Sequence, residues 1–232
     1  GIRRSPCRRD ARGWQQVALT AQVPAGGRIS AALNPLAPAG RHLNVEAQDA
    51  GRALATLGLY SDMRGGRLEL DASFDDSQPQ SPLSGRLKIK DFKVVNAPLL
   101  ARLLNVLALT GVVDALRGDG ISFSTLEAPF VSTPGRIMLH DAKTHGAALG
   151  LTASGTVETA AEVMDIQGTI VPFYVINSAL GRIPLLGGLF TGGEAGGGLF
   201  AATYAMKGAL AEPEISVNPL SILGPGVLRH LF

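Results

Sequence analysis

Apolar and polar residues alternate through most of this chain, and this pattern constrains its fold more than any other feature. Between residues 67 and 74, leucine, alanine and phenylalanine occupy every second position, with Glu69, Asp71 and Ser73 between them. Successive side chains of a strand point to opposite faces, so the pattern predicts a sheet with one apolar and one polar face. Similar but mostly weaker alternation occupies ten further segments: 16–22, 28–33, 42–47, 86–90, 121–128, 136–142, 148–157, 163–171, 199–207 and 214–217.

Short connections rich in glycine, proline, aspartate and asparagine separate these segments. Examples are the stretches at 24–27, 64–66 and 133–135. Such residues favour the tight turns of β-hairpins. Nine to eleven strands joined in this way predict an antiparallel meander, in a fold that is mainly β with a few helices.

Helical patterns interrupt the strands at three places. A short amphipathic helix is predicted over residues 49–59, with Asp49 as its N-cap. Pro98 lies at the favoured first-turn position of one longer amphipathic helix, near residues 98–117, whose apolar side chains cover more than half of its circumference. A third helical element at 175–181 is short. The longest uncharged run of the longer helix has 11 residues, whereas a bilayer needs about 20.

Composition and charge limit the class of protein and its partners. The chain is 46% hydrophobic and 17% charged, which excludes a solvated disordered tail. Five arginines fall within the first twelve residues, which predicts an irregular basic head at 1–12 before one β domain at 13–232. The rest of the chain has 16 basic and 18 acidic residues, so nucleic acid is not an expected partner. Because the chain starts at Gly1 rather than methionine, we expect a fragment of a longer protein.

No group of residues in the sequence predicts catalysis, a cofactor or a metal. Cys7 is the single cysteine and has no local histidine partner motif. His140 and His145 are five residues apart, which places them on opposite faces of a strand. The glycine-rich stretch 187–198 lacks the Lys–Ser/Thr pair of a phosphate-binding loop. An enzyme is therefore not expected.

An apolar loop and the C-terminal tail carry another signal. Their leucine and phenylalanine side chains lie among glycines with few charges, so they are either buried under the sheet edge or in contact with something apolar outside the chain. The residues expected to contact a membrane or a partner are Leu185, Leu186, Leu189, Phe190, Leu228 and Phe232.

The same region carries a resemblance to a known family. The motifs, in chain order, are Ile-Val-Pro-Phe-Tyr-Val-Ile-Asn at 170–177, Gly-Arg-Ile-Pro-Leu-Leu-Gly at 181–187, Gly-Leu-Phe-Ala-Ala-Thr-Tyr at 198–204, Val-Asn-Pro-Leu at 217–220 and Pro-Gly-Val-Leu-Arg at 225–229. Upstream segments at 91–94, 97–104 and 118–123 agree with it. The series resembles the C-terminal region of the AsmA-like family, in its YhdP-type branch, over residues 60–232. The resemblance does not extend to residues 1–50.

The resemblance implies a lipid-transfer function without chemistry. Members of this family are large proteins of the Gram-negative envelope, anchored in the inner membrane by an N-terminal helix and extending across the periplasm. Their strands form a U-shaped sheet with an apolar groove along which phospholipid is thought to move toward the outer membrane. This chain would be the distal end, near the outer membrane, with phospholipid and an outer-membrane or periplasmic protein as partners.

Alternation and resemblance together predict which residues would line such a groove. Aliphatic side chains form a smooth wall for acyl chains, and the helix that starts at Pro98 would cap or flank that wall. The expected lipid-binding residues are Leu68, Leu70, Phe74, Leu87, Ile89, Ile137, Leu139, Leu149 and Leu151. The alternative is a non-catalytic scaffold that assists outer-membrane assembly, in which a closed β domain covers its own apolar faces.

Overall fold

One antiparallel sheet runs through the chain from its first described strand to its last. The computed structural model describes residues 2–4, 8–10, 13–22, 27–107, 109–172 and 200–222. The strands are β1 (Ile2–Arg4), β2 (Arg8–Asp10), β3 (Gly13–Gln22), β4 (Arg28–Leu36), β5 (Gly40–Ala47), β6 (Met63–Asp75), β7 (Leu83–Val94), β8 (Ile121–Thr133), β9 (Arg136–His145), β10 (Gly150–Glu158), β11 (Val163–Val171), β12 (Phe200–Ala209) and β13 (Glu214–Ile222). The helices are α1 (Ala50–Thr56), α2 (Pro98–Val106) and α3 (Thr110–Arg117).

Strands β3 to β13 pair in chain order, which confirms the predicted meander. Each is antiparallel to the next, and this meander of eleven strands is not closed; β1 and β2 bring the sheet to thirteen strands. All eleven alternating segments of the sequence are strands, and β11 has the predicted bounds, 163–171. Period-two alternation identified these strands because one face of the sheet is apolar along most of its width.

The N-terminal head is not wholly irregular, contrary to the sequence prediction. Strands β1 and β2 both pair with β3, with Ile2 opposite Ala21 and Arg8 opposite Gln16. The backbone of an edge strand offers unpaired donors and acceptors that readily accept another strand, whatever the charge of the incoming side chains. The arginine-rich composition of the head therefore did not prevent short strands.

Helix α1 confirms its predicted cap. The Asp49 side chain accepts a hydrogen bond from the backbone N–H of Arg52 at 3.0 Å. This bond satisfies one of the donors that the first helical turn leaves without a partner.

The single longer helix predicted near 98–117 is instead two short helices, α2 and α3. The backbone N–H of Leu109 donates to the carbonyl of Leu104 as the chain leaves α2. A straight helix with apolar residues around more than half of its circumference could bury only part of them against one sheet. As two separate helices, α2 and α3 both bury apolar side chains. Leu104 in α2 and Leu116 in α3 are each 0% exposed.

In β6 and β7, the apolar side chains switch between even-numbered and odd-numbered positions. The switch occurs at the same place in both strands. Gly66 of β6 and Asp91 of β7 lie between the ladder pairs Gly65–Phe92 and Arg67–Lys90, and their φ angles are 86° and 54°. Left-handed backbone of this kind is uncommon outside glycine and bends a strand locally. Beyond the bend, Phe92 points to the same face as Ile89, three residues earlier, and both are buried. The same face therefore stays apolar on both sides of the bend.

Helices and sheet share one apolar core on that face. Helix α1 packs on β6 and β7, α3 packs on β8, and α2 packs on α3 and on β13. The contiguous core includes side chains of β6 to β8, of the three helices and of β10 to β12. The helices thus cover part of the apolar face, and the remainder has no helix over it among the described residues.

Candidate functional site

Eight of the nine residues predicted to bind lipid lie on the same face of the sheet, and Leu149 lies one residue before β10. In the β6–β7 ladder, Leu68 lies opposite Ile89 and Leu70 opposite Leu87. In the following ladders, Gly85 of β7 lies opposite Phe130 of β8, which in turn lies opposite Leu139. Directly paired residues point to the same side of a sheet, so the pairing connects the predicted positions of β6, β7, β9 and β10 across one surface.

Burial divides these nine residues into two groups. Leu68, Ile89 and Leu149 are at most 7% exposed and belong to the core. The other six are half-buried: Leu70, Phe74, Leu87, Ile137, Leu139 and Leu151.

Apart from half-buried Leu151, which lines a cleft in the first region, the two groups mark two regions of the apolar face. The covered half comprises α1, α2, α3 and the buried side chains that share their core, such as Phe92, Phe123 and Leu149. The open half comprises the half-buried side chains farther along β6, β7 and β9: Leu70, Phe74, Leu87, Ile137 and Leu139.

An apolar cleft of about 430 Å³ lies within the covered half, between α2 and the sheet. Its lining comes from α2 and from strands β6 to β10 and β12, and includes Met63, Phe92, Leu103, Phe123, Leu151 and Met206. Of the nine predicted lipid-binding residues, only Leu151 lines it.

The cleft also requires that the sheet be curled. Met63 of β6 and Met206 of β12 both line it. In a flat sheet, six interstrand steps of about 4.8 Å would separate these strands by roughly 29 Å, far more than the width of a cavity of 430 Å³. Helix α2 also contacts the last strand, β13, although it follows β7 in the chain. The sheet therefore curls around α2.

The polar side chains in the cleft wall are largely satisfied by the sheet itself. The Thr144 hydroxyl donates to the carbonyl of Thr125 at 3.0 Å. The Tyr204 hydroxyl crosses β11 at Gly168 and donates to the carbonyl of Thr152 at 2.7 Å. Burial raises the pKa of Tyr204 to about 12. Both groups are thus neutral and hydrogen-bonded within the protein at ordinary pH.

Tyr60 is the third polar side chain of the lining, and it is 36% exposed. Burial of its ring, with the nearby Asp62 carboxylate second, raises the pKa of its hydroxyl. The described residues that line the cleft therefore present no charged group.

Sequence reasoning missed most of the cleft. The Phe92 and Phe123 rings stack with centroids 5.4 Å apart, yet Phe92 does not fit the alternation that begins at Arg86. The signal was present in the adjacent Gly65-Gly66 pair and in Asp91, since these residue types are the ones that accept left-handed backbone.

The predicted residue Phe74 has a different environment from the other eight. The guanidinium of Arg41 lies 4.2 Å from the centroid of its ring, a cation–π arrangement. The same guanidinium makes two hydrogen bonds of 2.7 Å to the Asp76 carboxylate, in bidentate geometry. A charged pair therefore lies at this end of the open half.

The opposite face of the sheet is polar and exposed. Lys88 pairs with Glu127, and this hydrogen bond lowers the pKa of the Glu127 carboxyl. His42 lies 3.2 Å from the Asp71 carboxylate and 3.3 Å from the Ser73 hydroxyl. This trio has the composition of a catalytic triad, but the Asp71 side chain is 71% exposed, so water competes for its hydrogen bonds.

Several sequence predictions lie outside the described residues. They are the short helix at 175–181, the glycine-rich stretch at 187–198, Cys7 and the six contact residues Leu185, Leu186, Leu189, Phe190, Leu228 and Phe232. Within the described ranges, no helix is long and apolar enough to cross a membrane. No group of three or more potential metal ligands occurs in the same ranges.

Comparison with known proteins gives no relative from which a function could be transferred. No protein-family model, no curated protein sequence and no solved structure matches this chain.

Proposed function

We propose that this chain binds the acyl chains of phospholipids on the apolar face of its curled sheet. In this proposal it is the distal, C-terminal segment of an envelope-spanning AsmA-like protein and helps to move lipid between the inner and outer membranes. It acts in the periplasm near the outer membrane, and the transfer involves no chemical step. A periplasmic or outer-membrane protein would serve as its partner.

The observation that carries the proposal is the unequal coverage of one apolar face. An ordinary β domain buries such a face against a second sheet or a helical layer. Here, among the described residues, α1 to α3 cover only part of it, and the leucines of the open half stay half-buried. Apolar surface left in contact with water is unfavourable, and an apolar ligand would cover it.

The chemistry of the open half suits movement rather than tight capture. Leu70, Leu87 and Leu139 offer aliphatic contact and no hydrogen bond. Each methylene of an acyl chain buried against such a wall contributes at most about 0.8 kcal/mol. Contacts that are individually weak and alike along the strands allow a chain to shift from one position to the next at a small energetic cost.

Native mass spectrometry of the purified chain tests this proposal, with extraction and identification of any co-purifying lipid. We expect phospholipid at a defined stoichiometry, or its uptake when it is added to delipidated protein. A clean unliganded mass that persists with added phospholipid would contradict the proposal. That result would favour the alternative, a non-catalytic scaffold in outer-membrane assembly.

A further inference from the structure

We infer that the cleft beneath α2 is a separate, stationary site for one linear acyl chain. This inference rests on the proposed lipid-binding function and deepens it, because it assigns a ligand of limited length to one place on the apolar face. The open half would permit sliding, whereas the cleft would hold a single chain.

The lining of the cleft selects hydrocarbon over polar ligands. The described lining carries no charge, and its polar hydroxyls at Thr144 and Tyr204 already donate to backbone carbonyls. A polar metabolite or a lipid headgroup placed there would lose its hydrogen bonds to water and gain few in return. An alkyl chain makes no hydrogen bonds to water, so it loses none when it enters the cleft. Tyr60, which is 36% exposed, is the polar residue that could meet the start of a headgroup.

The volume of the cleft sets the size of the ligand. A methylene group occupies about the volume of a water molecule in the liquid, roughly 30 Å³. A cleft of about 430 Å³ therefore has room for about fourteen methylenes, which is one acyl chain rather than two. Carbons beyond that length lie outside the cleft and gain less contact.

Helix α2 forms one wall of this cleft. It packs against α3 and β13, and Arg102 donates from Nη2 to the carbonyl of Pro213 at 3.2 Å. Pro213 is buried and precedes β13 at the far side of the curled sheet. Because α2 is connected to both sides of the curl, it stays over the cleft and a chain beneath it is held in place.

Binding of monoacyl phosphocholines of 10 to 18 carbons to the delipidated 232-residue chain tests the inference. Titrations are made below the critical micelle concentration of each lipid. Affinity should rise by up to about fourfold per added methylene, and then level off near 14 carbons. A rise that continues undiminished to 18 carbons would overturn the inference.

A matched pair of variants locates the site. Ala153 lines the cleft, and Ala153→Phe adds a ring that fills the volume of about three methylenes. We expect this variant to lower the affinity for the 14-carbon lipid at least tenfold and to move the plateau to shorter chains. Ala31→Phe makes the same substitution in β4, away from the cleft. It should leave the affinity for the 14-carbon lipid and the chain length at the plateau unchanged.

The outcomes separate this inference from the proposed function. If phospholipid co-purifies but the monoacyl series shows no plateau, or if Ala153→Phe and Ala31→Phe behave alike, the cleft site is wrong and the lipid-binding function stands. If neither phospholipid nor any monoacyl lipid binds, both are wrong. Since the plateau is measured on the unaltered chain, the test remains decisive even if Ala153→Phe fails to fold.

Discussion

The covered and open halves of the apolar face are built from the same residue types but differ in what they contact. In the covered half, Phe92 and Phe123 line the cleft beneath α2 and are at most 5% exposed. In the open half, Leu87 and Leu139 lie on the same face and remain half-buried. Binary alternation therefore determines which face of a sheet is apolar, whereas helices packed on the sheet determine how much of that face stays available to a ligand.

The largest expected difference between the halves is in stability. Leu104→Ala truncates an α2 side chain that is 0% exposed, so we expect a loss of about 3 to 4 kcal/mol of unfolding free energy. Leu87→Ala makes the same change in the open half and should cost about 1 to 2 kcal/mol, because neighbouring water can fill the space. Urea denaturation measures both. Equal costs would mean that the two halves are equally packed.

A pH dependence follows from Tyr204 in the covered half. Its folded-state pKa of about 12 exceeds the value of about 10 for an unfolded tyrosine. A raised pKa stabilises the fold below pH 10, and this contribution is lost as the pH rises toward 12. We expect the loss to reach about 2 to 3 kcal/mol, and to be absent from Tyr204→Phe. If Tyr204→Phe loses stability with rising pH as steeply as the wild type does, this tyrosine is not the origin of the pH dependence.

The next expected effect on stability concerns Gly168, the β11 glycine that the Tyr204 side chain crosses. A Cβ atom at Gly168 would lie 2.8 Å from the Tyr204 hydroxyl and still closer to the backbone of Thr152. Gly168→Ala should therefore separate Tyr204 from Thr152 and cost about 2 kcal/mol. Thermal unfolding gives the magnitude. Full retention of stability would show that β10 and β11 can move apart at no cost.

In the open half, we expect a substitution to lower stability less but to lower phospholipid binding more. Leu139→Asp places a charge on a half-buried position and should cost about 1 kcal/mol, while phospholipid occupancy falls severalfold. Met138→Asp is the control, because Met138 precedes Leu139 on the opposite face of β9. Occupancy is read by native mass spectrometry. Similar occupancy in the two variants would contradict the assignment of the faces.

The local sequence pattern predicted the strands of this fold but not how the sheet curls around α2. The segment 163–171 became β11 with unchanged bounds because alternation is a property of neighbouring residues. The predicted helix at 98–117 became α2 and α3 because burial of its wide apolar surface depends on distant strands. The cleft depends on Met63 and Met206 meeting across six interstrand steps, which no local pattern specifies.

Some cleft residues escaped the sequence prediction because the apolar positions of their strands switch between even and odd residue numbers. Gly66 and Asp91 adopt left-handed backbone, so the apolar positions of β6 and β7 change parity there. Reading alternation from Arg67 or Arg86 correctly finds Leu68 and Ile89 but stops before Met63 and Phe92. A break in alternation at glycine or aspartate is thus a signal of continued apolar surface, not of the end of a strand.

Photocrosslinking tests the central claim most directly. A phospholipid with a diazirine in its acyl chain is bound to the delipidated protein and irradiated, and labelled residues are identified by peptide mass spectrometry. The account predicts labels on the open half, at Leu70, Leu87 and Leu139, and few on the opposite face of the same strands, such as Lys88. Equal labelling of the two faces, or none on the open half, would contradict it.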